Sequence, residues 1–319
     1  MKKSVLFIDA PDENFSGERF VSLVAASFPQ VEFRVTTRRD GSGPGVAGAD
    51  AIFGYAHHFT EAMLTAAKSL KWIQSFTTGV DAILRLKSLR PEVILTSLRG
   101  VHGPQMSELT FLHMLALSRN YPRVLDNQRN RIWERHAIPT LSGKTVVILG
   151  VGAIAAALAR RCKAFDMTVI GVSSLPRPVP DFDRMMARSE LLQAAALADF
   201  LVVLVPLSPE TQGIIDARVL GAMKPSAYLI NVARGRVCDE DAIIAAVRSK
   251  QIAGAGLDVF STTPLPADHP LWNTPGILLT PNLGGLSITY MEQSVPIVAQ
   301  NLKCLLENRL SDLANVIPH

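Results

Sequence analysis

Cysteine is scarce in this chain, at three residues, and none of them belongs to a CxxC pair. Cys162, Cys238 and Cys304 lie far apart, so neither a disulfide framework nor a zinc site is indicated; they read as small core residues. Long apolar runs are missing as well, since no run approaches the ~18 residues of a membrane span. The first residues, MKKSVLFIDAPDE, hold an apolar run too short for a signal segment, with Asp9 directly behind it. The pattern predicts a first strand at Ser4–Ile8, a cytoplasmic location and no membrane partner. Charge of one sign is not in excess: the net +4 suits an anionic ligand and does not demand nucleic acid. The densest basic segment, Arg119–Arg135, has no nucleic-acid motif beside it. It reads as a solvated helix face or a subunit-contact arm.

What is present points to globular α/β structure. A chain of 319 residues, 48% hydrophobic and 19% charged, is long enough for two ordinary domains. The most informative stretch runs from Thr145 to Ser174, TVVILGVGAIAAALARRCKAFDMTVIGVSS. Thr145–Leu149 reads as a buried parallel strand, Ile154–Phe165 as an alanine-rich helix and Thr168–Val172 as a second strand. Strand, glycine turn, helix and strand within ~30 residues form the context of a dinucleotide fingerprint. Gly150 permits the tight turn. Gly152 permits close approach of a pyrophosphate, which sits on the free N–H groups at the helix start. Ala155 takes the third position, where helix and strand pack closely. An ordinary tight βα turn is the plainer alternative.

The first hundred residues also alternate strands with helices, which argues for a parallel sheet flanked by helices. Strands are predicted at Val31–Val35, Ala49–Phe53, Trp72–Phe76 and Val93–Thr96. This half carries no glycine fingerprint and reads as a separate domain. Gly100, Gly103 and Pro104 punctuate a boundary, and a long helix is predicted over Gln105–Leu117. After the fingerprint, strands are predicted at Phe200–Val205, Tyr228–Val232, Ala255–Val259 and Ile277–Thr280. A last helix, about Ile288–Asn308, packs back on the first domain. The expected domains are 1–100 with 289–319, and 101–288. Arg234, Asp258 and Asn282 follow successive strands, at the ends where ligands of doubly wound sheets bind. Singly they read as a surface ion pair, a turn cap and a turn residue.

Seven stretches together carry a family resemblance: Leu70–Asp81, Gly100–Glu108, Leu141–Ala155, Leu204–Asp216, Leu229–Ile243, Ala253–Phe260 and Ile277–Gly285. Over nearly its whole length the chain resembles the D-isomer-specific 2-hydroxyacid dehydrogenases. The resemblance implies a Rossmann dinucleotide domain inserted into a flavodoxin-like substrate domain, both doubly wound parallel sheets. It implies an active site in the interdomain cleft and a homodimer joined through the dinucleotide domain. It implies hydride transfer between nicotinamide and the Cα of a small 2-keto or 2-hydroxy acid. Arg234 would bind the substrate carboxylate and polarise the keto oxygen, as a guanidinium fork suits both tasks. Backbone groups at Thr78 and Gly79 would hold the same carboxylate. Val205, Pro206, Val232 and Ala233 would line the cofactor, with Asp258 near its nicotinamide end. Met106, Ala153, Ile154, Thr211, Asn282 and Gly284 complete the implied cofactor set.

Two departures from the family pattern stand out. The family's acid–base histidine and its partner glutamate are replaced by Asn282 and Thr263. With the histidine gone, a buried glutamate would lack its partner. Asparagine donates a hydrogen bond but delivers no proton, and general acid–base help contributes roughly 10²–10⁴-fold. His57 and His58 are weak substitutes. The expectation is an NAD(P)-dependent oxidoreductase with a non-standard proton donor; the alternative is a catalytically impaired, dinucleotide-binding sensor or interaction protein. Where NAD-specific folds carry an acid after the second strand, the chain reads Val172-Ser173-Ser174-Leu175-Pro176-Arg177. Two serines can bond a 2′-phosphate and Arg177 can neutralise it, so NADP(H) is expected over NAD(H), with NAD(H) admitted.

Overall fold

The computed structural model describes residues 2–9, 16–37, 40, 43 and 45–319. The chain divides into two compact units, one formed by Met1–Val101 with Ser287–His319 and the other by His102–Leu286.

The first unit opens with strand β1 (Lys3–Ile8), helix α1 (Gly17–Val24) and β2 (Val31–Thr36). It continues through β3 (Ala51–Gly54), α2 (Glu61–Ala66), β4 (Trp72–Ser75), α3 (Asp81–Leu84) and β5 (Ile94–Thr96). The Ser16 hydroxyl accepts from Arg19 N–H and the Thr60 hydroxyl from Met63 N–H, so each helix start is capped by its own side chain.

The second unit begins with α4 (Gly103–Ser118) and α5 (Tyr121–Arg129), then β6 (Thr145–Leu149), α6 (Ala153–Ala164), β7 (Thr168–Ser173) and β8 (Arg184–Ala187). There follow α7 (Leu191–Leu197), β9 (Phe200–Val203), α8 (Ala217–Ala222), β10 (Tyr228–Asn231), α9 (Glu240–Arg248), β11 (Gly254–Leu257) and β12 (Ile277–Leu279). The chain returns to the first unit with α10 (Tyr290–Leu306) and β13 (Val316–Ile317).

Strand order in the first unit is β13-β5-β4-β3-β1-β2, parallel except for antiparallel β13. In the second it is β12-β11-β10-β9-β6-β7-β8, parallel throughout. These are the two doubly wound orders, with the strand sequence reversing between β6 and β9 in the second sheet. Both faces of that sheet are covered. Val146 and Ile148 pack into one apolar cluster, Val147 and Leu149 into the other, which is why the strand reads as an unbroken apolar run. Helix α6 buries Ala155, Leu158, Ala159 and Cys162, a stripe at helical spacing.

Several elements escape the sequence pattern. Strand β8 is an edge strand with one fully buried residue, Met186, so it lacks an apolar signal. Helices α7 and α8 are only two turns or less. The basic segment forms exposed α5 and a tail, with Arg123 paired to Glu134 and Arg129 to Asp126. Among the described residues no helix is long and apolar enough to cross a membrane.

Candidate functional site

Because all seven strands of the second sheet are parallel, their carboxyl ends share one edge. Register fixes a row across it: Met186, Val172, Leu149, Val203, Asn231, Leu257 and Leu279 lie side by side. The residues one step further on are Ala187, Ser173, Gly150, Leu204, Val232, Asp258 and Thr280. Long sequence separations thus collapse into one line, and the candidate residues of this unit other than Met106, which lies on α4, belong to it or to the segments that follow these strand ends.

At the centre, Gly150 adopts φ 101°, and a Cβ there would meet the Leu204–Val205 backbone at 2.8 Å. Only glycine fits both constraints. Gly152 precedes α6 and no side chain caps that helix start. A Cβ on Gly152 would meet nothing of the protein within 4 Å. An open approach to uncapped N–H groups is what a pyrophosphate requires, so the residues fit a dinucleotide. Ala153 and Gly152 are exposed and Ile154 half-buried. In the loop behind the neighbouring strand β9, the Thr211 hydroxyl donates to Pro206 O over 2.6 Å and accepts from Ser208 N–H over 2.8 Å. Val205, Val232 and Ala233 are buried, and Pro206 is exposed at the rim.

Two unsatisfied polar groups lie at the ends of the paired strands β7 and β8. Ser173 pairs in register with Ala187, and Arg188 follows Ala187 directly. The Ser173 hydroxyl and the Arg188 Nε are both buried without a hydrogen-bond partner among the described residues. Leaving such groups unmade costs on the order of 1–3 kcal/mol each, so the fold alone does not account for them. Arg188 also acts on Glu210, whose carboxyl is held below the usual range mainly by the Ser208 hydroxyl and further by the Arg188 charge. Ser174 and Arg177 are exposed. Arg188 is absent from the sequence-derived set. Nothing in the spacing marks it, because only the pairing of β7 with β8 sets its chain neighbour Ala187 opposite Ser173.

On the other side of the row, β10 ends in a turn closed by Asn231, whose side chain accepts from Ala233 N–H at 3.1 Å and donates to Arg234 O at 3.0 Å. Arg234 is half-buried, with one Nη1 bond to Ala233 O at 2.7 Å. A Cβ on Gly235 would fall 1.9 Å from Phe260 C, so the arginine turn is pressed against the segment that follows β11.

Asp258 is 1% exposed. Its carboxylate accepts from the Thr280 hydroxyl at 2.6 Å and from Leu283 and Gly284 N–H at 2.8 and 2.9 Å. Its backbone carbonyl accepts from Asn282 N–H at 2.9 Å. The Thr280 hydroxyl is also 3.0 Å from His113 Nε2 on α4. Thr280 gives its only proton to Asp258, so the bond from His113 must run from an Nε2–H, leaving Nδ1 as a bare lone pair. That assignment agrees with Nδ1 being buried without a partner. Burial holds the His113 imidazole neutral, its pKa lowered to about 4 against a smaller opposing pull from Asp258. Asp258 therefore shapes the Asn282 loop from beneath. Met106 lies under the same loop, 2.8 Å from where a Gly284 Cβ would stand. Asn282 takes φ 56°, a left-handed conformation asparagine tolerates, and its side chain is exposed. Thr263 is exposed as well. The structure brings Arg234, Asp258 and Asn282 to the ends of three neighbouring strands.

In the first unit, Thr78 and Gly79 follow β4, where the Thr77 hydroxyl donates to Gly79 O at 2.6 Å. His57 and His58 follow β3 in a single turn, rings 4.5 Å apart, the first exposed and the second buried. Both pairs stand at carboxyl ends of their own parallel sheet.

Comparison with known proteins places this geometry. Residues 111–284 match the family described as D-isomer specific 2-hydroxyacid dehydrogenase, NAD binding domain. A glyoxylate reductase of Thermofilum pendens is 30% identical over 257 residues, covering 78% of this chain and 75% of the relative. A D-isomer specific 2-hydroxyacid dehydrogenase family protein of Aeromonas salmonicida superimposes with TM-score 0.90 at 30% identity, over 99% of both chains. A D-isomer specific 2-hydroxyacid dehydrogenase of Xanthobacter autotrophicus, solved with NADPH and MES, does so with TM-score 0.87 at 28% identity, over 99% of this chain and 98% of the other.

Proposed function

From the chain's membership of the D-isomer-specific 2-hydroxyacid dehydrogenase family, we propose that this enzyme interconverts a small 2-keto acid and its 2-hydroxy acid with NADP(H) as the preferred cofactor. The chain is a nicotinamide-dependent oxidoreductase with two parallel-sheet α/β units. The cofactor, when bound, supplies the hydride. The protein supplies placement: Gly150 and Gly152 at the start of α6 for the pyrophosphate, and Arg234 for the substrate carboxylate. Thr78 and Gly79 are further carboxylate donors in this reading. Asn282 holds the reacting heteroatom in place of an acid–base histidine, and Thr263 stands where that histidine's partner would be.

The observation that carries the cofactor preference is the polar end of β7, Ser173, with Arg188 one residue past its register partner Ala187. After β7 no carboxylate appears until Asp181, while an arginine with an orphaned Nε follows the end of the neighbouring strand. Arg177 adds a second, exposed cation. NADPH solved on a relative of the same fold supports the choice. Titrating NADPH and NADH into the full chain at physiological salt tests it. NADPH is expected to bind at least about tenfold more tightly, a difference of ~1.4 kcal/mol; tighter NADH would reverse the reading.

Asn282 and Thr263 favour a second reading, a dinucleotide-binding sensor without turnover. Assays with glyoxylate, hydroxypyruvate and pyruvate, with both cofactors, separate the two. We also read the chain as a cytoplasmic homodimer joined through the second unit. Three free, buried thiols and a tail with Trp133 93% exposed and Ile132 55% exposed support this.

A further inference from the structure

We propose that this chain reduces the imine of a small 2-keto acid, formed with ammonia or a small primary amine, in preference to the keto acid itself. The proposal rests on the dinucleotide and carboxylate assignments above and changes only the group reduced. The two substrates differ in what the protein must add. When hydride reaches the Cα of a keto acid, the C=O pair moves to oxygen, and that oxygen needs a proton in the same step. A protonated imine carries its proton on nitrogen already. Hydride arrives at Cα, the C=N pair moves to nitrogen, and a neutral amine results. The cofactor loses two electrons and the imine carbon gains them; water has left earlier, when keto acid and amine condensed in solution.

The strand-end row is built for the second case. Asn282, which the proposed function puts at the reacting heteroatom, sits in a fixed turn, its N–H donated to Asp258 O at 2.9 Å and Thr280 O at 3.0 Å. Its exposed carboxamide makes no hydrogen bond to any described residue. That group neither gives nor takes a proton, but its Oδ1 accepts from an N–H, and a keto oxygen has no hydrogen to offer. The titratable neighbours are withdrawn from the edge. Asp258 is 1% exposed, and three donors fill its carboxylate. His113 is fully buried behind Thr280.

The chain has seven histidines, and most are engaged elsewhere. His269 Nδ1 accepts from Leu271 N–H, and its Nε2 faces Glu240 at 3.8 Å. His136 and His319 are exposed on the tail and at the terminus. His57 and His58 belong to the first unit. His102, at the start of α4, has its ring 3.6 Å from where a Gly285 Cβ would stand. These three are the rival donors for direct keto-acid reduction.

The test uses the full chain with NADPH and pyruvate or glyoxylate, alone and with excess methylamine or ammonia. Cofactor consumption and product mass are followed together. The expected result is an amine-dependent rate at least about 100-fold above that of the keto acid alone, matching the lower end of what a general acid contributes. The N-methyl amino acid should be the product with methylamine, and the unsubstituted amino acid with ammonia. Asn282→His with Thr263→Glu should shift the ratio back toward the keto acid. A readout without turnover is calorimetric titration of N-methylalanine and lactate into the chain saturated with NADP⁺. The amine should bind about fivefold more tightly, and Asn282→Leu should erase the difference, consistent with one charge-assisted hydrogen bond. Equal rates with and without amine would overturn the imine proposal and leave the oxidoreductase reading standing; loss of that rate in His57→Gln, His58→Gln or His102→Gln would then name the donor. Bound NADPH with neither substrate consumed would overturn both and leave the sensor.

Discussion

His113 Nε2 lies 3.0 Å from the Thr280 hydroxyl, deep beneath the loop that presents Asn282. The imidazole is neutral in the fold, with a pKa of about 4, against 6.5 for an unburied ring. Between those values the unfolded chain binds a proton that the folded chain refuses. The stability this group confers is therefore complete above pH 6.5 and is lost as pH falls toward 4. The integrated effect is on the order of 3 kcal/mol. Denaturant unfolding of the full chain at pH 7, 5.5 and 4 should show that fall. His113→Gln should flatten this limb; an unchanged slope in the variant would assign it to other groups.

The two fingerprint glycines should fail in different ways. Gly150→Ala places a Cβ at φ 101° and 2.8 Å from backbone, at a cost of about 1–3 kcal/mol from strain alone. Its melting temperature should drop. A Cβ on Gly152 would meet nothing of the protein within 4 Å, so the melting temperature of Gly152→Val should hold. Dinucleotide affinity should nevertheless fall by more than about tenfold, because the side chain fills the approach to the α6 N–H groups. A destabilised Gly152→Val that still binds cofactor normally would refute this division.

Arg188→Gln should weaken NADPH by about tenfold while NADH binding stays within twofold, the signature of one lost phosphate contact. Ser173→Asp with Arg177→Ala should go further and favour NADH. Equal losses for both cofactors in Arg188→Gln would point to packing instead.

Arg234→Ala should lower kcat/KM by about 100-fold or more, the loss of up to ~3 kcal/mol from a charge-assisted pair with the substrate. Cofactor titration should be nearly unaffected. Arg234→Lys should recover only part of the rate, since an ammonium cannot reproduce the planar fork. Undiminished turnover in the alanine variant would remove Arg234 from the site.

The sequence by itself determined the βαβ unit around Gly150, because a doubly covered parallel strand must be apolar throughout and the turn behind it tolerates only glycine. It also determined that no acid follows β7 until Asp181. These are properties of single positions or short spacings. Tertiary structure decided the rest. Ala187, the residue before Arg188, lies opposite Ser173 only because β8 pairs with β7, and β8 is an edge strand whose single buried side chain gives no periodic signal. Asp258, which reads in sequence as a turn cap or a cofactor contact, anchors Leu283 and Gly284 because β11 and β12 are adjacent and in register. His113 lies in the middle of an apolar helix, with no partner legible within a turn of it. Its partner, Thr280, is 167 residues away, and the hydrogen bond between them exists only once α4 has packed against the sheet.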